Sequence, residues 1–285
     1  MSMIKAYAGG VRATFANKRL WLLLYAVQLG LALLLIAPLK TAVQSLLGQS
    51  LLGQDLLEGR TGLVLVEFVI HQAQAVAMVA PLLVWGGIAF LFLTLFLNGG
   101  ILGLFVKDQR FVPATFFGDA GAYFWRFVRL FLTSILYLLV AVLVYVLLNK
   151  GLMAFKGDSE PLAFLLRLIG LGVLGLLGLV VQMVFDYAKI MTVAEDRRGM
   201  FKTALKAWGF VFRHLCGTFG LYLLVGLTGL VLFIFFTQVM KVIPATTGFL
   251  IFILFVWQQL HSFVRAGLKL LHLGSASRLY GTLSA

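Results

Sequence analysis

Six long apolar runs, separated by clusters of charge, are the feature that most constrains how this chain folds. A bilayer core is crossed by roughly 20 apolar residues in a helix. Helix is the open-ended structure that satisfies its own backbone hydrogen bonds there, and the alternating pattern of membrane strands is not visible. The runs are Leu20–Leu39, Phe68–Val106, Leu130–Asn149, Leu168–Phe185, Leu215–Met240 and Val242–Leu260.

The composition points to the same class of protein. The chain has 285 residues, of which 62% are hydrophobic and 12% charged, whereas a soluble domain carries about 25% charged residues. No stretch between the runs is long enough for a separate soluble domain. The sequence therefore predicts an all-α fold, a polytopic helical bundle with six transmembrane helices in a single domain spanning residues 1–285.

The basic residues predict the orientation of these spans. Of the 23 Lys and Arg residues, 17 lie before span one, between spans two and three, between spans four and five, or in the tail. Cationic residues near span ends stay on the cytoplasmic side. We therefore expect a multi-pass protein of the bacterial cytoplasmic (inner) membrane with both termini in the cytoplasm. The net charge of +13 then reflects topology and contacts with anionic lipid headgroups, and no nucleic-acid partner is expected.

A sequence pattern recurs where the chain enters the membrane from the predicted cytoplasmic side. Residues 5–7, 12 and 21–23 match residues 206–208, 213 and 222–224 with a constant offset of 201, and a weaker copy begins at Ala122. In each copy an alanine precedes an aromatic residue by 15 positions: Ala6 and Trp21, Ala122 and Tyr137, Ala207 and Tyr222. The pattern predicts a threefold repeat of an amphipathic helix and a two-span hairpin, with units of roughly 1–106, 113–185 and 197–270.

The amphipathic helix is clearest in the third copy. One helical face carries Phe201, Leu205, Trp208 and Phe212, and the opposite face carries Lys202, Lys206 and Arg213. This pattern is typical of a helix in the lipid headgroup layer, and a docking helix for a cytoplasmic partner is the alternative. In the middle copy, the residues that share a face after Pro113 are Phe116, Ala120, Tyr123 and Phe127. Gly9 and Gly10 weaken the first copy.

The second half of the chain resembles a known type of membrane protein. The residues that carry the resemblance are Asp186-Tyr187-Ala188-Lys189, Val193-Ala194-Glu195-Asp196, Ala204-Leu205-Lys206-Ala207-Trp208 and Tyr222-Leu223-Leu224. They are similar to bacterial six-span integral membrane proteins typified by the membrane domain attached to some glycerophosphodiester phosphodiesterases. The resemblance implies an α-helical inner-membrane bundle. It implies no catalytic site, because the phosphodiesterase domain and its metal-binding carboxylates are absent from this sequence.

Two polar stripes are candidate sites. Glu67, His71 and Gln74 share one helix face at the outer start of span two. They form a proton or cation site, a polar contact with another subunit, or a turn in the headgroup region. The second stripe, on span six, should point into the bundle because lipid offers no hydrogen-bond partner. It either lines a substrate cavity or packs the bundle, and its residues are Gln258, His261, Ser262 and Arg265.

Other chemistry-bearing residues suggest structural roles. Asp186 and Lys189 can pair on one helix face where span four ends, and Glu195 and Asp196 look like a solvated turn. The histidines lack metal-site spacing and no phosphate-binding glycine loop occurs, so no catalytic, cofactor or metal residues are predicted. The favoured function is a non-enzymatic subunit or scaffold of an inner-membrane complex, with other protein subunits as partners. The alternatives are a permease-type transporter subunit for a lipid or amphiphile, and a lipid-modifying enzyme.

Overall fold

The computed structural model describes residues 3–47, 73–154, 160–244 and 246–284. Over these ranges the chain forms eight helices and no strand, which confirms the all-α prediction. The helices are α1 (Met3–Ala16), α2 (Lys18–Leu47), α3 (Ala73–Val106), α4 (Pro113–Ala154), α5 (Glu160–Ala194), α6 (Met200–Arg213), α7 (Leu215–Val242) and α8 (Gly248–Ser284).

Six of the described helices are long and apolar enough to cross a membrane: α2, α3, α4, α5, α7 and α8. The other two, α1 and α6, have 14 residues each. Such a helix is only about 21 Å long, which is too short to cross the hydrocarbon core. The predicted count of six spans is therefore confirmed for the described residues.

The chain divides into two compact units, Met1–Trp21 with Leu95–Ala285 and, separately, Leu22–Thr94. The smaller unit holds most of α2 and the first part of α3. Within it, Gly86 of α3 lies directly against Leu35 of α2, so that a β-carbon at Gly86 would come within 2.9 Å of the leucine side chain. Glycine at this position thus lets the two helices approach closely.

The core of the larger unit lies at one end of the spans, where α3, α5 and α8 end and α4 and α7 begin. We call this the basic end, because Lys and Arg residues surround it. The last turns of α3 and α5 and the stretch 266–280 of α8 are largely buried there, with fully covered side chains at Ile101, Leu104, Tyr187, Ile190 and Leu270. Such dense burial allows polar groups inside this region to meet one another rather than water.

Close helix packing at the basic end depends on glycine. A β-carbon on Gly100 of α3 would lie 2.5 Å from the ring of Phe116 on α4. A β-carbon on Gly10 of α1 would lie 2.0 Å from Oγ of Ser275 on α8. Gly10, expected from sequence to weaken α1, instead lets α8 pack directly against that helix.

Away from the basic end, the spans expose their apolar side chains. Leu139, Leu143 and Leu147 on α4 are each about 60% exposed. α4 lies alongside α5, and α7 lies alongside α8. These pairs are antiparallel hairpins, and their exposed apolar faces are suited to contact with acyl chains.

The two short helices pack on the core through small residues. Ala6, Gly10 and Ala13 of α1 are buried, and so are Ala204 and Ala207 of α6. Ala6 and Ala207 are separated by the predicted repeat offset of 201, and both are less than 2% exposed. The boundaries of the repeat units themselves stay a prediction.

The middle amphipathic segment differs from the other two. It begins at Pro113, as predicted, but continues without a break into the span, so that α4 has 42 residues. Ala122 is exposed, unlike Ala6 and Ala207. The face that the sequence placed in the headgroup layer is instead buried in the core at Phe116, Ala120, Tyr123 and Phe127. Gly99 and Gly100 of α3 make room for the first two of these residues.

Candidate functional site

A buried carboxylate organises the centre of the basic end. Asp186 of α5 is 7% exposed, and its Oδ1 accepts a hydrogen bond from Nζ of Lys189 at 2.8 Å. This ion pair is the one predicted from the spacing of the two residues. A buried charge is tolerated only when it is paired and hydrogen-bonded. Lys189 neutralises the charge and occupies Oδ1, which leaves Oδ2 in need of a donor.

Two further helices supply the partners of Oδ2. Tyr222 of α7 donates its hydroxyl hydrogen bond to Oδ2 of Asp186. Nε2 of His272 on α8 lies 3.1 Å from the same Oδ2 and 3.2 Å from the Tyr222 hydroxyl. The tyrosine and histidine rings meet edge to face, with centroids 4.6 Å apart. Both carboxylate oxygens are therefore occupied, and the cluster joins α5, α7 and α8.

A second carboxylate lies just beyond the end of α5. Glu195 accepts hydrogen bonds from Tyr280 of α8 at 2.5 Å, from Lys206 of α6 at 3.0 Å and from Arg197 at 2.6 Å. Partial burial raises the pKa of Glu195, but these three donors outweigh it and lower the pKa to about 2. The sequence suggested a solvated turn here; Glu195 instead joins three elements.

Helices α3 and α5 end in the same way, each with an aspartate just after its last turn. Asp108 after α3 and Asp196 after α5 both adopt a left-handed backbone, with φ of 48° and 47°. In each case the next residue donates its N–H back into the helix, from Gln109 to Leu104 and from Arg197 to Thr192. This is a common way to end a helix, and Asp tolerates it better than most residues.

The side chains of these two aspartates bind distant arginines. Arg278 of α8 pairs with Asp108 at 3.1 Å, and Arg126 of α4 pairs with Asp196. The hydrogen bond from Arg126 lowers the pKa of Asp196. Each aspartate thus ends one helix and ties another to it.

None of the four residues of the span-six stripe, all of which the structure describes, belongs to the cluster around Asp186. Glu67 and His71 lie outside the described residues, and Gln74 lies in α3 with its side chain outside the description. Gln258 and Arg265 are exposed, so the span-six stripe does not point into the bundle as expected. His261 stacks on Phe236 with ring centroids 4.8 Å apart, while the remaining member, Ser262, hydrogen bonds to the Gln258 carbonyl.

Helix α6 has three distinct faces, whereas the sequence predicted two. Its small residues face the core. Phe201, Leu205 and Phe212 are each more than half exposed, and Trp208 stacks on Phe212 at 4.9 Å. Lys206 binds Glu195, which leaves two exposed cations on the basic side, Lys202 and Arg213. The predicted amphipathic pattern is present. On its aromatic face Phe201, Leu205 and Phe212 are open, whereas Trp208 also stacks on Tyr137 of α4.

Two apolar cavities lie between helices of the larger unit. An apolar cavity of about 360 Å³ lies between α1, α7 and α8, and another of about 280 Å³ lies between α5 and α7. Tyr222 lines the second cavity. Among the described residues, no group of three or more His, Cys, Asp or Glu side chains is arranged to hold a metal ion.

These features define a multi-pass α-helical membrane protein whose basic end is held together by ion pairs and hydrogen bonds between helices. Comparison of the chain with protein-family models, curated proteins and solved structures found no match. The resemblance to membrane domains of glycerophosphodiester phosphodiesterases therefore stays a prediction.

Proposed function

We propose that this chain is a non-enzymatic integral membrane subunit that scaffolds a complex in the bacterial inner membrane. The observation that supports the proposal is that nearly all described carboxylates of the chain form ion pairs within the protein. Of the six Asp and Glu residues that the structure describes, five are ion-paired at the basic end, with Glu160 at the start of α5 as the exception. The paired residues are Asp108, Asp119, Asp186, Glu195 and Asp196.

This use of charge suits a scaffold better than an enzyme. General acid–base catalysis needs a carboxylate or histidine within hydrogen-bond reach of a substrate. Asp186 and His272 instead engage each other and Tyr222. The ion pairs join helices from both described hairpins of the larger unit, which favours a rigid base able to hold α6 in a fixed position.

The open face of α6 is the proposed contact for a second subunit. Phe201, Leu205 and Phe212 offer apolar area, and Lys202 and Arg213 offer charge beside it. Aromatic and Arg residues are enriched where proteins bind one another. A partner segment with apolar and acidic side chains would complement this face.

The test is purification from native membranes in mild detergent, followed by identification of co-purifying chains. Wild type should carry a partner in fixed stoichiometry. Lys202→Glu with Arg213→Glu should lose it, while Lys150→Glu with Lys241→Glu, at the opposite ends of the spans, should keep it. A chain that purifies alone, or a partner lost equally from both variants, would contradict the proposal.

The proposed topology places the basic end in the cytoplasm. Cys216 is the chain's single cysteine, and it is exposed in the first turn of α7. A membrane-impermeant maleimide should label it in inverted vesicles and leave it unlabelled in intact spheroplasts. A Ser50→Cys substitution in a Cys216→Ala background should show the reverse pattern; labelling on the same side as Cys216 would overturn the six-span topology.

A permease for a lipid or amphiphile is the second candidate, favoured by the two apolar cavities at the basic end. It predicts that filling one of these cavities, as Leu227→Trp would, abolishes transport while assembly survives, whereas a scaffold is unaffected by that change. The enzyme alternative depends on Glu67 and His71. Turnover of a lipid substrate that is abolished by Glu67→Gln would establish it, and unchanged turnover would dismiss it.

A further inference from the structure

A basic cleft lies at the corner where α1 meets α2. Lys18 and Arg19 at the start of α2 line it together with Arg110 from the α3–α4 connection, and its volume is about 460 Å³. Of the carboxylates that the structure describes, none lies within ion-pair distance of these three cations; each described ion pair involves other residues. The cleft thus gathers three positive charges with no described carboxylate paired to them.

A buried asparagine builds this arrangement. Asn17 is 6% exposed and occupies the turn between α1 and α2. Its Nδ2 donates to the carbonyl of Ala13 at 2.9 Å, and its Oδ1 accepts the backbone N–H of Phe111 at 3.0 Å. Because Phe111 follows Arg110, Asn17 holds that arginine beside Lys18 and Arg19, 91 or more residues away in sequence.

An apolar groove adjoins the cleft. Phe15 lines both the cleft and the cavity of about 360 Å³ between α1, α7 and α8. Leu232 and Leu268 are among the apolar side chains of that cavity. Trp21 forms its wall, fixed by a hydrogen bond from Nε1 to the carbonyl of Phe263 and by stacking on the Phe263 ring at 4.7 Å.

We propose that this corner binds one anionic phospholipid, with its phosphate in the cleft and an acyl chain in the groove. The three cations provide charge-assisted hydrogen bonds to phosphate oxygens. Phe15 and Trp21 stand at the polar–apolar boundary, where aromatic residues are enriched in membrane proteins.

A lipid fits better than a soluble anion because charge and apolar volume are contiguous. A free phosphate would leave the groove empty. The site differs from the α6 face proposed for a partner subunit, and the proposal does not depend on the scaffold function. It assigns to α1 and α2 a specific lipid contact in addition to general attraction of basic residues to the membrane.

The test uses the full-length protein, purified, stripped of lipid and titrated with phosphatidylglycerol, with bound lipid counted by native mass spectrometry. Wild type should retain one lipid far more tightly than any others. Lys18→Gln, Arg19→Gln and Arg110→Gln together should weaken that binding about a hundredfold, given the contribution of each cation near a membrane. The control, Lys150→Gln, Arg167→Gln and Lys241→Gln, removes the same charge and should bind as wild type does.

Two further arms separate the lipid from simpler explanations. Leu232→Trp, which fills the groove, should weaken binding of long-chain phosphatidylglycerol and leave a short-chain form unaffected. Phosphatidylcholine and inorganic phosphate should bind much more weakly. Equal loss in the control triple variant, equal binding of phosphatidylcholine, or inorganic phosphate binding as tightly as the lipid would each overturn the proposal. If the triple variant fails to fold, the single Arg110→Gln variant replaces it, with about a fivefold loss expected.

Discussion

The Asp186 carboxylate of α5 lies 3.1 Å from Nε2 of His272 on α8, across 86 residues of sequence. Tyr222 of α7 hydrogen bonds to the same oxygen, so three helices meet at one carboxylate. Lys189, on the next turn of α5, balances the charge. The cohesion of the basic end is therefore expected to depend on this aspartate more than on any exposed ion pair.

Asp186→Asn should destabilise the protein by about 3 kcal/mol, because it leaves the Lys189 charge without its counter-ion and replaces one of the two acceptor oxygens by an NH2 group that cannot accept a hydrogen bond. The value is at the low end of the range for buried pairs because Lys189 is 20% exposed. Thermal unfolding in detergent measures the change. Asp196→Asn removes an exposed carboxylate and should shift the melting temperature less; equal shifts would contradict the central role of Asp186.

Two tyrosines provide a matched comparison of buried hydroxyls. The Tyr280 hydroxyl donates to Glu195, whereas the Tyr187 hydroxyl is buried without a hydrogen-bond partner among the described residues. Tyr280→Phe should lower stability by about 1.5–3 kcal/mol, the range for a hydrogen bond to a charged group. Tyr187→Phe makes the same chemical change and should be neutral or slightly stabilising. A loss at Tyr187 as large as that at Tyr280 would show that its hydroxyl has a partner.

Two helical glycines should respond in opposite directions to alanine. Gly10→Ala would place a β-carbon 2.0 Å from Ser275 Oγ and 2.8 Å from the Ser275 nitrogen, forcing α1 away from α8 and costing about 1–3 kcal/mol. Gly209 of α6 has open space around it, so Gly209→Ala should stabilise by about 0.5–1 kcal/mol through helix propensity. Unfolding in detergent decides both, and a stabilised Gly10→Ala variant would refute the close packing.

Acid should weaken the contact between α5, α6 and α8. Glu195 has a pKa of about 2 in the folded protein, below the ordinary value of 4.5. Because the folded-state pKa is the lower one, its contribution to stability is complete above pH 4.5 and is lost as the pH falls towards 2. The melting temperature of wild type should therefore fall more between pH 5 and pH 3 than that of Glu195→Gln. Parallel curves for the two proteins would exclude this role.

Much of the fold could be predicted because it depends on local sequence. Apolar length predicted the spans, Pro113 predicted the start of α4, and periodicity predicted the faces of α6. The same periodicity could not say which face of the Phe116 segment meets protein, because that depends on Gly100 in another helix. The prediction that the span-six stripe points into the bundle was wrong for a related reason. Helix spacing places Gln258 and His261 on one face, but it does not determine whether another helix packs against that face.

The partners of the carboxylates at the basic end were harder to predict from the sequence. Asp186 and Lys189 were paired correctly because they are three residues apart on one helix. Tyr222 was noticed only as part of the repeat, and no spacing rule linked His272 or Tyr280 to a carboxylate. A useful signal was nonetheless present, since an aspartate at the end of an apolar run requires partners somewhere in the fold.

The amino-acid sequence alone determined that this chain forms helices long and apolar enough to cross a membrane, six of them among the described residues, because length and hydropathy act through solvent transfer and need no knowledge of neighbours. Tertiary structure alone decided which side chains meet at the basic end. The partners of Asp186, Glu195 and Asn17 come from helices and loops far away in sequence, and only the packing of those elements brings a donor within hydrogen-bond distance of its acceptor.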